Sequence, residues 1–133
     1  MNEGRTVFAQ LMDQLPRYEL DKCIARYRGN RHVRSFSTYE QFLTMAFAQL
    51  TYRESLRDIT TCLHAVAPKL YHSGLRHPVA RSTLADANEK RDWRIFADFA
   101  QVLIQQALAL YSDEPFGVEL EKEAYALDST TID

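Results

Sequence analysis

The 133-residue sequence predicts a mainly α protein: a helical bundle with a helix-turn-helix-like unit, ending in one strand of a second structural unit. Three observations predict it. Apolar residues recur at three- and four-residue spacing over most of residues 1–115. Capping sequences, prolines and glycines punctuate those stretches. A short apolar run ending in a carboxylate, Tyr125-Ala126-Leu127-Asp128, comes only near the end, after a linker. The expected division is therefore 1–115 for the helical domain and 116–133 for the start of the next one.

The first helix carries Phe8, Leu11, Met12 and Leu15 on one side and stops at Pro16. The second carries Leu20, Cys23, Ile24 and Tyr27 and stops at Gly29, before the basic connection Gly29 to Arg34. Ser37-Thr38-Tyr39-Glu40 fits a capping box, in which the hydroxyl takes an orphan N–H and the glutamate reaches back. It opens a helix with Tyr39, Phe42, Leu43, Ala46 and Leu50 on one face. Thr51-Tyr52-Arg53-Glu54 fits a second box, opening a helix with Leu56, Ile59, Leu63 and Val66 inward. Two boxes so close predict a break near Leu50–Thr51. Pro68 is expected to start a short helical turn and Gly74 to stop it. After an extended His77-Pro78, Ser82 is expected to cap a helix through about Lys90. Asp92 then caps the longest helix, whose Trp93, Phe96, Ala97, Ala100, Leu103, Ile104, Ala107 and Leu110 make it the expected core post. Ser112 to Gly117 is a linker by composition.

Composition narrows the class. Hydrophobic content of 46% and charged content of 26% suit a soluble globular chain. No apolar run approaches the ~20 residues of a membrane span, and Met1 to Gln10 lack an export signal's apolar core. Cys23 and Cys62 are expected as reduced thiols in a cytoplasmic protein. Cys62, His64, His72 and His77 match no strong zinc-ligand spacing. Net charge is −2, unevenly spread: residues 1–94 hold 15 Lys/Arg against 10 Asp/Glu, and residues 95–133 hold one against 8. A basic body with an acidic tail suggests two functional regions, although charge alone does not argue for nucleic acid.

Two segments carry chemistry. From Leu56 to Arg91 a helix, a connection and a small, polar helix follow in helix-turn-helix order. In such a unit the second helix enters the major groove. Ser82, Thr83 and Asn88 would face base edges, with Asn suited to adenine. Arg81, Lys90, Arg91 and Arg94 would hold phosphates and set the register. The same pattern also describes an ordinary surface helix, and the basic stretch Arg26–Arg34 is a rival for the groove. The second segment is Leu127 to Thr131. A strand-end Asp is a common ligand for Mg²⁺ in phosphoryl transfer, where two metals lie ~3.5–4 Å apart. Equally, such an Asp can simply bond its own Ser/Thr turn.

The block Arg81-Ser82-Thr83-Leu84-Ala85-Asp86-Ala87-Asn88-Glu89-Lys90-Arg91-Asp92-Trp93-Arg94-Ile95-Phe96 resembles a signature of bacterial DDE-type insertion-sequence transposases of the "IS-four" type. So does the upstream Tyr52-Arg53-Glu54-Ser55-Leu56-Arg57-Asp58-Ile59. Ala126 to Asp133 is similar to the first catalytic motif of that group. The resemblance implies a helical domain that binds double-stranded DNA at terminal inverted repeats. It further implies a ribonuclease-H-like domain whose DDE triad holds two Mg²⁺ ions. Asp128 matches the first D, as metal ligand and catalytic residue, with Ser129 and Thr130 as companions. The second Asp and the Glu would lie downstream, and Glu119, Glu121 and Glu123 precede the strand and cannot replace them. The expectation is a truncated transposase, cytoplasmic and nucleoid-associated, that keeps DNA binding without catalysis. A repressor of transposition and an assembly domain, including one that self-associates, are the alternatives.

Overall fold

A computed structural model describes residues 5–115. Six α-helices and one 3₁₀ turn account for the regular structure there, so the chain is mainly helical. No strand occurs among the described residues. The expected strand around Asp128, and with it the whole 116–133 unit, lies outside them.

Helix α1 spans Val7–Asp13, and Thr6 caps it by accepting from the Ala9 N–H. Helix α2 spans Arg17–Arg26, starting directly after Pro16. Pro16 thus serves both as the stop expected of it and as the entry to the next helix. Helix α3 spans Thr38–Leu50 behind the Ser37 capping box: Ser37 Oγ accepts from the Glu40 N–H, and Glu40 Oε2 from the Ser37 N–H.

The second box is not formed where the sequence suggests it. Thr51 ends α3, and its hydroxyl donates back to the Phe47 carbonyl. Helix α4, Leu56–Leu70, is capped by Ser55, which accepts from the Asp58 N–H. The break between two helices stands; its cap lies four residues on. Pro68 does not start a turn but sits in the last turn of α4. A 3₁₀ turn, Tyr71–Ser73, follows and ends at Gly74, whose φ of 101° is a left-handed stop that glycine adopts without steric cost.

Helix α5 spans Arg81–Lys90. Its N-cap is Ala80, so Ser82 lies inside the first turn and makes no cap. Helix α6 spans Arg94–Tyr111. Asp92 does receive the Arg94 N–H, although Trp93 is the cap position.

The apolar interior forms two clusters. One joins Leu43, Phe47, Ile59, Leu63, Leu70, Leu75, Val79 and Leu84, from α3, α4, α5 and the segment between the last two. The other joins Leu20, Cys23 and Ile24 of α2 to Ile95 and Phe99 of α6. Tyr39 and Phe42 of α3 pack against both clusters, and Phe42 meets Phe99 edge-on at 5.4 Å. The central helix is therefore α3, buried at Thr38, Gln41, Thr44 and Ala48 as well. This replaces the expectation that α6 is the core post. Only its first half packs, through Ile95, Phe96, Phe99 and Leu103, on α2 and the adjoining Phe42 of α3. Leu108, Leu110 and Tyr111 are 60, 80 and 68% exposed among the described residues. Helical periodicity marks a face that can be buried; it does not supply the neighbour that buries it.

No helix among the described residues is long and apolar enough to cross a membrane.

Candidate nucleic-acid interface

Between Asp21 and Glu40 the chain carries five basic residues and no acidic one. The structure folds the centre of that run into a tight loop, residues 28–36, between α2 and α3. Arg28 and His32 both hold positive φ, 53° and 61°. Left-handed backbone costs a non-glycine residue roughly 1–2 kcal/mol. Strain of this kind is a pointer to side chains required at those positions.

The loop is tied down from below. Gly29 donates to the Ile24 carbonyl at 2.8 Å, and its own carbonyl accepts from the Thr38 hydroxyl at 2.8 Å. Asn30 Oδ1 accepts from the Thr38 N–H at 2.9 Å. Gly29 lies so close to α6 that a Cβ there would stand 2.7 Å from Ile95 Cδ1. Next to it, Asp98 of α6 accepts from the Tyr27 hydroxyl at 2.8 Å and from the Arg26 guanidinium. Those two bonds hold its carboxyl below the usual aspartate range. With Arg26 so occupied and Lys22 paired with Glu19 at 2.8 Å, the basic charges left are Arg28, Arg31 and Arg34, all exposed. None of the three has an ion-pair partner among the described residues.

The loop stands beside α5. An open groove of about 640 Å³ runs between them, lined by Arg28, Arg31, His32 and Arg34 on one wall and by Thr83, Asp86 and Lys90 on the other. On the opposite flank of α5, a cleft of about 650 Å³ brings Arg57 and Ser55 of the α4 start against Arg81, Ser82 and Ala85. Arg57 and Arg81 are likewise exposed and unpaired among the described residues. The result is a short helix with Leu84 and Ala87 facing the core, its outer face open, and unpaired guanidinium groups on both sides.

The residues singled out from the sequence fall into three groups. Arg81, Ser82 and Thr83 lie exposed on the first turn of α5. Lys90 is exposed at its other end, in a loose pair with Asp86 at 3.4 Å. Asn88 and Arg91 are engaged within the fold. Gln41 Nε2 donates to Asn88 Oδ1 at 2.8 Å. Arg91 donates to the Ser37 carbonyl at 2.9 Å, to Gln41 Oε1 at 3.1 Å and to the Phe36 carbonyl. Burial lowers its pKa from the ordinary arginine range, yet a guanidinium keeps its proton in proteins. It is a charged pin joining the end of α5 to the start of α3. Arg94 is turned toward Asp92, with Nη2 at 2.6 Å, and covers the Tyr27 ring at 4.8 Å. Asp128 lies outside the described residues. Arg57 was not singled out; nothing distinguishes one exposed arginine of a helix until the tertiary fold sets it beside α5.

Among the described residues no three His, Cys, Asp or Glu side chains group as a metal site, so Cys62, His64, His72 and His77 do not form one. Both cysteines are free. Burial pushes the Cys23 thiol up, and its side chain packs in the α2–α6 cluster.

Residues 3–76 of the chain match the family described as a domain of unknown function (DUF4372). That stretch includes the basic loop and α4, and ends before α5. No curated protein and no solved structure matches the chain.

Proposed function

We propose that this chain, which belongs to the DUF4372 family, is the double-stranded-DNA-binding part of a transposase. The observation that carries the reading is the arrangement around α5. A helix inserted in the major groove has a phosphate backbone on either side, and proteins hold both with flanking cations while the helix faces the bases. Here Arg28, Arg31 and Arg34 stand on one side, and Arg57 and Arg81 on the other. The family supports it too, being one often found in transposase-like proteins. The finer assignment rests on the sequence resemblance: an element of the "IS-four" type, terminal inverted repeats as the bound DNA, and nucleoid association. Catalysis, on the same resemblance, belongs to a ribonuclease-H-like domain in which Asp128 would be one Mg²⁺ ligand among three.

Fluorescence anisotropy with a labelled duplex tests the reading. The 133-residue protein is titrated onto a terminal-repeat duplex and a scrambled duplex at two salt concentrations. Each phosphate contact contributes about 0.9 to the slope of log affinity against log salt. Replacing Arg28, Arg31 and Arg34 together by Gln is expected to lower the slope by about 3 and to weaken both duplexes alike. Absence of binding at low salt, or a slope untouched by the triple change, overturns it.

A second reading, an assembly domain without DNA affinity, draws on α6. Residues 99–112 contain no charge, and the far half of the helix is exposed among the described residues. A salt-independent mass increase with concentration, and no DNA binding, would favour it.

A further inference from the structure

Two carboxylates lie where a surface built only to grip phosphate would not put them. Ser82, Asp86 and Glu89 follow at spacings of four and three, one stripe along the exposed side of α5. Asp86 lines the same groove as Arg28, Arg31 and Arg34. Its pairing with Lys90 is loose, 3.4 Å between side chains 64% and 71% exposed. An exposed pair of that kind holds neither partner in place. The carboxylate is therefore available to whatever enters the groove.

We infer that Asp86 is a specificity-determining residue, accepting a hydrogen bond from the exocyclic amino group of a cytosine in the major groove. The inference rests on the DNA-binding reading above. If α5 enters the groove with guanidinium groups over both backbones, the stripe holding Asp86 points at base edges and away from phosphates. An ionised carboxylate has only acceptors. In the major groove cytosine offers a donor, N4, and Asp and Glu pair with it there. Guanine presents only acceptors at the same edge, so a carboxylate repels it. The same charge lowers affinity for every other register through repulsion from phosphate, which is how a repulsive group sharpens discrimination.

The test is selection from a random duplex library with the full 133-residue protein, followed by affinities on the selected duplex and its single-base variants. The wild-type protein is expected to enrich a cytosine at one position and to lose about 5- to 100-fold in affinity when that base pair is changed. Asp86→Ala is expected to abolish the preference at that position alone and to bind non-specific duplex at least as tightly. Asp86→Asn, which keeps shape but adds a donor, is expected to change the base preferred there. Asp86 is exposed, and circular dichroism checks that both variants fold. Unchanged base preference in Asp86→Ala, with tighter binding everywhere, overturns the inference and leaves DNA binding standing. A wild-type protein that binds no duplex overturns both.

Discussion

Replacing Arg91 by Ala separates a fold-holding arginine from a DNA-holding one. The guanidinium donates three hydrogen bonds, to the carbonyls of Phe36 and Ser37 and to the Gln41 side chain. It also stands 5.4 Å from the Phe36 ring. Hydrogen bonds to a charged group contribute roughly 1.5–3 kcal/mol each. Their plain sum overstates the loss, because the site is only half buried and water reaches the freed carbonyls. About a third to a half survives that correction, so Arg91→Ala is expected to cost about 3 kcal/mol. At about 2 cal/mol/K of unfolding entropy per residue, a domain of this size loses roughly 4 °C per kcal/mol, or about 10–15 °C of Tm. Arg91→Lys recovers less than half, since an ammonium cannot span three acceptors. Urea denaturation followed by circular dichroism measures the stability, and duplex affinity is measured well below the midpoint. A loss under about 0.5 kcal/mol together with a several-fold drop in affinity would refute the pin and return Arg91 to the phosphate contacts.

The remaining predictions use the same loop and its supports. Gly29→Ala must displace Ile95 and Thr38, which a Cβ would meet at 2.7 and 2.9 Å; overpacking of this kind costs about 1–3 kcal/mol, read in the same denaturation assay. Asp98, held below the ordinary aspartate range by Tyr27 and Arg26, contributes stability that is complete above its unfolded pKa of about 4 and is lost as pH falls through the lower folded value. Asp98→Asn should therefore lose stability at pH 7 and flatten the acid limb of the stability profile; an unchanged limb would rule out that role. Cys23, 3% exposed and with its thiol pushed up by burial, should resist alkylation at pH 7.5 in the folded protein and react on unfolding, as mass spectrometry would show.

Much of the fold was legible locally. Ser37 and Glu40 lie three apart, and the reciprocal bonds of a capping box need nothing beyond that spacing. Leu20, Cys23 and Ile24 formed a stripe that is indeed buried. Errors arose where several local solutions were open. Thr51 and Ser55 both head an x-x-acid pattern, and the chain uses Ser55 because Thr51 closes the preceding helix instead. Ser82 has the residue type of a cap, while the extended Ala80 already ends the connection and places Ser82 inside the first turn.

The site divides in the same way. The basic run between Asp21 and Glu40, the polar face of α5 and the uncharged stretch 99–112 are properties of the amino-acid order. They were sufficient to nominate α5 and the Arg26–Arg34 stretch as rivals for one groove. Only the tertiary structure made them neighbours, with Gly29 against Ile95 and Arg91 tied to Phe36 and Ser37. It also sorted the arginines. Arg26, Arg91 and Arg94 satisfy acceptors within the fold, whereas Arg28, Arg31, Arg34, Arg57 and Arg81 meet none among the described residues. The physical reason is range. Caps and helical faces are set by atoms within about one turn, which the sequence lists side by side. Arg94 finds Asp92 two residues away, but the acceptors of Arg26 and Arg91 lie 50 to 72 residues away, and folding alone brings those together.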